Sequence, residues 1–355
     1  MRVLFVSDTH LGIDLPAHPR VARRRRGEDF FRNFEAALAP ALAGGVDVVL
    51  HGGDLLYRSR VPAWLAEAAL APLRRLAERG IPVLLVPGNH ERSRLPYPLL
   101  ALHENVHVFD RPRTVHLRAR GLRVAFAGFP YAPEVRERFP SLLEATRRHE
   151  RSADLRVLCL HQCVEGATCG PGDFTFRDGE DVIRRADLPA DLAVVLTGHV
   201  HRHQVLRGLR GPSVVYAGSV ERTSFAEMGE TKGAVVVDLE AGGVAAIDFQ
   251  PLRARPMAIR CLSLDGLGPA EARAQVEHAV RSTPEDAVVQ LRVDGPVPAA
   301  LEPLLAAAHL RAIGGARNVS VRGAVARGPM PACSETRRRR NRAAAVPRSV
   351  IAGAR

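Results

Sequence analysis

The sequence predicts a layered α/β fold followed by a smaller α/β unit, and three observations carry that expectation. Short β-branched apolar runs alternate with amphipathic stretches of helix length as far as residue 252. The last runs of that region are joined by turns alone, and beyond Pro251 to Pro256 a compact pattern of strand, helix, strand, helix and strand begins.

The buried-strand candidates are Val3 to Val6, Val46 to Leu50, Ile81 to Val86, Leu122 to Ala127, Leu155 to Leu160 and Leu192 to Leu196. Their length and branched content suit strands covered on both faces. Glu28 to Leu42 repeats Phe30, Phe31, Phe34, Ala37, Leu38 and Leu42 at helical spacing, and Pro62 to Arg79 does so with Leu65, Ala69, Leu73 and Leu76. Pro62 suits a first helical turn and Gly80 a stop. Val205 to Leu209, Val214 to Tyr216, Ala234 to Leu239 and Val244 to Phe249 have no helix between them, so antiparallel strands are expected there. The second unit reads as strand Met257 to Leu264, helix Pro269 to Arg281, strand Ala287 to Val293, helix Ala299 to Ala308 and strand Asn318 to Arg322. The expected organisation is therefore 1–252, 253–325 and a tail, 326–355, in which no apolar period survives and disorder is expected.

Composition limits the partners. The chain has 50 Lys+Arg against 38 Asp+Glu, a net charge of +12, and Lys232 is its only lysine. Residues 326–355 hold eight arginines and one acid, Glu335, so the rest of the chain is only mildly basic. An arginine-rich, lysine-poor composition also follows from a GC-rich genome, and charge alone is a weak pointer to nucleic acid. Cys159, Cys163, Cys169, Cys261 and Cys333 are odd in number and show no paired spacing, and Asp8 interrupts the first apolar run. A reduced, cytoplasmic protein is expected. No apolar stretch approaches the roughly 18 residues of a membrane span.

The chemistry lies at the strand ends. Val3 to Val6 runs into Ser7-Asp8-Thr9-His10, Val46 to Leu50 into His51-Gly52-Gly53-Asp54, and Ile81 to Val86 into Pro87-Gly88-Asn89-His90-Glu91. Leu155 to Leu160 ends in His161, and Leu192 to Leu196 ends in Thr197-Gly198-His199-Val200-His201. Ligands bind at the carboxyl edge of such sheets. Two aspartates, one asparagine and five histidines meet there, a mixed nitrogen and oxygen set that suits Mn, Fe or Zn better than Ca or Mg. Eight groups exceed one metal's needs and argue for two, the arrangement that clamps both oxygens of a phosphoryl displacement. Asp-x-His and His-x-His fit a strand terminus because side chains two apart share a face. Any one of these motifs alone is as readily a solvated strand end, and the weight lies in all five occurring in order. His51 and His203 adjoin the motifs but alternate away from the site, and are read as structural.

The ordered set Asp8-x-His10, Gly53-Asp54, Gly88-Asn89-His90-Glu91, His161 and Gly198-His199-x-His201 resembles the calcineurin-like metallophosphoesterase superfamily. Ser7 to Gly12, Gly27-Glu28-Asp29-Phe30 and Ala217-Gly218-Ser219-Val220-Glu221-Arg222-Thr223-Ser224-Phe225 resemble its SbcD-type DNA repair nucleases, over about residues 1–252. The resemblance implies a layered αββα metallophosphoesterase sandwich with a small α/β capping domain that contacts DNA. It implies that Asp8, His10 and His201 hold one metal, that Asn89, His161 and His199 hold the other, and that Asp54 bridges them. The metals would be two divalent ions, Mn foremost. His90 would act on the leaving side of the phosphate, with Glu91 orienting it from behind.

The activity implied by the resemblance is that of a metal-dependent DNA exonuclease, with endonuclease capacity open. The alternatives on the same scaffold are a phosphatase or small-molecule phosphodiesterase, and a DNA-end-binding scaffold in which hydrolysis is secondary. Tyr57 stands where the SbcD-type pattern often has a phosphate-positioning histidine, which leaves phosphodiester hydrolysis the broader expectation. Arg58, Arg60, Arg92 and Arg94 flank the metal motifs and Arg222 lies in the family-like segment; all five are candidate DNA contacts. The family's partners are a coiled-coil ATPase, for which no pair of docking helices is evident here, and a second copy of the chain. No membrane partner is expected.

Overall fold

The computed structural model describes residues 1–91, 103–208 and 211–323. Arg92, Arg94 and the tail lie outside the described residues. Two compact units divide at Arg255 and Pro256.

In the first unit the order is β1 (Arg2–Val6), α1 (Arg26–Leu42), β2 (Val48–His51), α2 (Ala63–Glu78), β3 (Val83–Leu85), β4 (Val106–Val108), β5 (Arg113–Ala119), β6 (Leu122–Gly128), α3 (Val135–Ala145) and β7 (Leu155–His161). Four two-residue strands come next, β8 (Cys163–Val164), β9 (Thr168–Cys169), β10 (Phe174–Thr175) and β11 (Val182–Ile183). The unit ends with β12 (Val194–Gly198), β13 (Gln204–Leu206), β14 (Ser213–Tyr216), β15 (Lys232–Glu240) and β16 (Gly243–Leu252).

Two six-stranded sheets result, ordered β16-β15-β1-β2-β3-β4 and β13-β14-β12-β7-β6-β5. Alternation along the strands makes the layers. Val3, Phe5, Val48, Leu50, Leu84 and Val86 face inward against Val124, Phe126, Val157, Cys159, Val194 and Leu196 of the other sheet. Their neighbours Leu4, Val6, Val49, Val83 and Leu85 face outward onto Phe30, Phe34 and Leu38 of α1 and Leu65, Leu73 and Leu76 of α2. On the far side Leu158, Leu160, Val195 and Val214 pack on Val135 and Phe139 of α3. The layer order is helix, sheet, sheet, helix, which is the αββα sandwich.

Register brings the motif-bearing ends level. Val6 pairs with His51 and His51 with Leu85, all in parallel, and Gly198 pairs with His161 in the second sheet. The expected antiparallel finish holds for β15 with β16 and for β13 with β14. It fails for β14, which lies parallel to β12, because β13 between them in the chain runs the opposite way. Neither β4, β5 nor α3 is foreseen in the sequence. Strand β5 buries only Val115 well, and α3 buries only Val135 and Phe139.

The second unit is a three-stranded parallel sheet, β17 (Met257–Ser263), β18 (Val288–Asp294) and β19 (Asn318–Gly323), with β18 central. Helix α4 (Pro269–Arg281) contributes Ala272, Val276 and Val280 to a core with Leu262, Leu264, Val289 and Leu291. The expected helix 299–308 is instead two, α5 (Glu302–Leu305) and α6 (Ala307–Gly314), because Ala306 is extended between them with ψ 141°. No helix among the described residues is long and apolar enough to cross a membrane.

Candidate metal centre

The loops leaving β1 and β2 run side by side. Asp8 N–H donates to the Gly53 carbonyl at 3.0 Å, His10 N–H to that of Asp54 at 2.9 Å and Leu11 N–H to that of Leu55 at 2.9 Å. Asp8, His10, Asp54 and His199 all have positive φ, 52°, 43°, 52° and 84°. Side chains with a Cβ rarely adopt that region, and such residues persist where surrounding contacts over-determine them. Asp8 and His10 therefore do not share a side by strand pleating, as the Asp-x-His spacing suggests, since β1 ends at Val6. Left-handed turns aim them.

Two glycines allow the close approach. A Cβ on Gly53, where φ is +104°, would lie 2.3 Å from Nδ1 of His161, and one on Gly88 would lie 2.2 Å from Oδ1 of Asp54. Side chains at either position would push a candidate ligand aside.

Among the described residues three groups of ligand atoms each lie within 4.8 Å of one another: Asp8 with His10 and His201, His10 with Asp54 and His90, and Asp54 with His161 and His199. Asp54 Oδ2 stands 3.8 Å from Nε2 of His10, 3.8 Å from Nε2 of His90 and 3.3 Å from Nε2 of His161. The Asn89 side-chain oxygen, Oδ1, lies 3.1 Å from His161 Nε2 and 3.0 Å from His199 Nδ1. His10 and His201 turn their Nε2 atoms toward each other at 2.9 Å. Two imidazoles holding one ion at about 2.1 Å each sit roughly 3 Å apart, so this spacing fits a shared cation. All seven residues expected to hold metal are thus together.

Electrostatics agree with a site built for positive charge. Burial opposes ionisation of Asp54, yet His161, His10 and His90 outweigh it and hold the carboxyl well below its ordinary range. Burial likewise opposes charge on His161, but Asp54 and Asp8 outweigh it and lift the imidazole to about 9. Burial, reinforced by His201, pushes His10 well down, and burial with His161 brings His199 to about 3. Burial outweighs His161 and His201 at Asp8 and raises its carboxyl, so Asp54 is the carboxylate held ionised among the imidazoles. His10 and His199 are kept neutral, the state in which histidine binds a divalent metal.

His90 reaches the same space from the β3 loop. Its Nδ1 meets the Tyr57 carbonyl at 2.6 Å, and its backbone N–H donates to Asp54 Oδ1 at 3.0 Å. The Tyr57 carbonyl, not Glu91, orients His90. Glu91 accepts N–H bonds from Gly88 at 2.7 Å, Leu56 at 2.9 Å and Asp54 at 3.2 Å, which fixes the loops carrying Asp54 and Asn89. Burial and the Asp54 charge raise its carboxyl to about 7.

The arginines divide. Arg58 is exposed with its guanidinium 4.6 Å from the Tyr57 ring, and Arg60 is exposed beside it. Arg222, expected to contact DNA, donates instead to the carbonyls of Glu227, Glu230 and Arg255, so its guanidinium is committed within the fold. His51 is buried against Thr9 and Gly53, and His203 stacks on Phe249 at 4.1 Å; both sit outside the three groups. Two residues behind the site belong to no metal motif in the sequence: Glu227, whose Oε1 lies 3.0 Å from Nδ1 of His201, and Lys232, which bonds Glu227 at 2.7 Å. The signal for them was that Lys232 has no companion lysine anywhere in the chain.

Residues 1–203 match the family model for calcineurin-like phosphoesterases. The chain is 34% identical over 316 residues to the DNA double-strand break repair protein Mre11 of Haloferax volcanii, covering 85% of this chain and 64% of that one. It is 30% identical to Mre11 of Halobacterium salinarum, over 83% of this chain and 70% of that one. It is 24% identical to the SbcD component of the SbcCD nuclease of Bacillus subtilis, over 68% and 67% respectively. The chain thus spans less than two thirds of the Haloferax relative, and 56% of the Mre11 of Methanopyrus kandleri. With the αββα sandwich and these ligand groups at its sheet edge, the chain belongs to the calcineurin-like phosphoesterase family, in the branch of the Mre11 and SbcD proteins.

Proposed function

We propose that the protein is a DNA nuclease that uses two divalent ions, Mn foremost, to hydrolyse phosphodiester bonds in DNA repair. The observation that carries this reading is Asp54, whose Oδ2 faces His10 on one side and His161 on the other. Asp8, His10 and His201 would hold one ion and Asn89, His161 and His199 the other, with Asp54 available to both. Bound there, the ions supply Lewis acidity and make water nucleophilic near neutral pH. DNA as the substrate is supported by the names and identity of the Mre11 and SbcD relatives.

The chain's own residues divide the remaining work. His90, fixed through Nδ1 by the Tyr57 carbonyl, presents Nε2 to the departing oxygen and supplies its proton. Tyr57 and the exposed Arg58 and Arg60 border that side, where a phosphate backbone would be held by the cationic side chains. Glu91 keeps the Asp54 and Asn89 loops in register. Residues 253–325 act as a capping domain with DNA contacts. A cytoplasmic location, a second copy of the chain and a coiled-coil ATPase complete the reading, and light scattering with and without the ATPase tests both partnerships.

One assay decides among the substrates. The Mn-supplemented protein is offered labelled linear duplex, single-stranded DNA and a chromogenic phosphomonoester over a range of salt. Cleavage of DNA that weakens steeply with salt is expected. Turnover of the monoester alone makes the protein a phosphatase and ends the nuclease reading.

A further inference from the structure

Lys232 is the only lysine in a chain with 50 basic residues, and its side chain is fully buried. The ammonium has three N–H donors, and three acceptors meet it. These are Glu227 Oε2 at 2.7 Å, Glu230 Oε2 at 2.8 Å and the His201 carbonyl at 2.9 Å. A compact ammonium matches that set, whereas a guanidinium is planar, larger and carries five donors in a fixed fork. The three-acceptor pocket thus fits an ammonium better than a guanidinium.

Glu227 links this cluster to the candidate metal centre. One of its oxygens faces Lys232, and the other meets the Thr223 hydroxyl and Nδ1 of His201, the latter at 3.0 Å. An ionised carboxylate only accepts hydrogen bonds, so a neutral His201 beside it carries its proton on Nδ1. Its Nε2 lone pair is then free toward His10 Nε2 and Asp8 Oδ1, 2.9 and 3.9 Å away. The backbone of the same residue is held too, since Ser219 N–H donates to the His201 carbonyl at 3.0 Å. Arg202 bonds the Glu230 carboxylate at 3.1 Å and Arg222 its carbonyl at 2.8 Å, which keeps the lysine's second acceptor in place.

We infer that Glu227 and Lys232 are positioning residues for the Asp8, His10 and His201 group: Lys232 fixes the Glu227 carboxylate, and Glu227 sets the tautomer and ring direction of His201 for a divalent cation. The inference rests on the two-metal reading above. It gives the segment from Ala217 to Lys232 a task distinct from touching DNA.

The test is Mn titration followed by EPR, on the wild type and on Glu227→Gln, Lys232→Met and Lys232→Arg, each first checked for cooperative thermal unfolding. Wild type takes up two ions. Glu227→Gln and Lys232→Met weaken one of them by roughly 10- to 100-fold and leave the other unchanged. Lys232→Arg keeps the charge and does not restore the lost affinity, which separates shape-specific positioning from a merely ionic role. Independently of any change at 227 or 232, 15N spectra of histidine-labelled, metal-free protein at mildly alkaline pH show His201 with its proton on Nδ1, the signal being identified by its loss in His201→Ala. A proton on Nε2 in the wild type overturns the inference, as does wild-type affinity for both ions in Glu227→Gln and Lys232→Met. If the wild type binds no Mn, the two-metal reading fails instead.

Discussion

His161 and His201 each turn one ring nitrogen toward the site and give the other to a group behind it, but those groups differ in charge. Behind His161 stands the Gly52 carbonyl at 2.7 Å, a neutral acceptor on the buried end of the β2 loop. Behind His201 stands the Glu227 carboxylate, itself held by Lys232. A carboxylate makes the imidazole a stronger donor to a metal, whereas a carbonyl mainly fixes its direction. The half of the site with Asp8 thus gains ligand strength from a buried ion cluster. The half with Asn89 relies on packing, with Gly53 pressed against the His161 ring.

The residue common to both halves carries the largest expected effect. Asp54→Ala removes the carboxylate that faces His10 and His161, and both Mn ions are expected to bind more than about 100-fold more weakly, measured by EPR titration. Loss of only one ion would show that Asp54 serves a single half. His90→Ala comes next. With His90 acting on the departing oxygen and the seven other residues holding the ions, both ions should stay while turnover falls by roughly 10²- to 10⁴-fold. Departure of both ions would make His90 a ligand rather than an acid. The smallest effect sharpens the contrast. Gly53→Ala places a Cβ against His161 and strains a backbone at φ +104°, for a loss of about 1–2 kcal/mol in unfolding free energy. It should weaken metal binding in the Asn89 half alone, and equal weakening in both halves would contradict the division.

Much of this site is legible in the sequence because its residues sit at the ends of strands whose apolar runs are unmistakable. Val3 to Val6 and Leu155 to Leu160 announce both the sheet and the place where Asp8 and His161 leave it. The way the side chains converge is not legible. Asp8, His10 and Asp54 meet through positive-φ turns, a conformation that Asp and His adopt more often than most side chains but still too rarely to be read from the residue type. The orientation of His90 depends on a backbone carbonyl at Tyr57, and a carbonyl leaves no mark in the sequence. Glu91 stands beside His90 in the chain yet binds three amides of other loops, so adjacency misleads there. Strand β5 escapes because an edge strand needs little apolar content, and α3 because most of its surface is solvated.

The buried ammonium has a practical consequence. A reagent selective for lysine side chains has a single target in the entire sequence, and in the folded state that side chain is fully buried against Glu227, Glu230 and the His201 carbonyl. Its rate of modification therefore reports how often the fold opens around Lys232. The 355-residue chain thus carries one built-in chemical reporter, placed directly behind a candidate metal ligand.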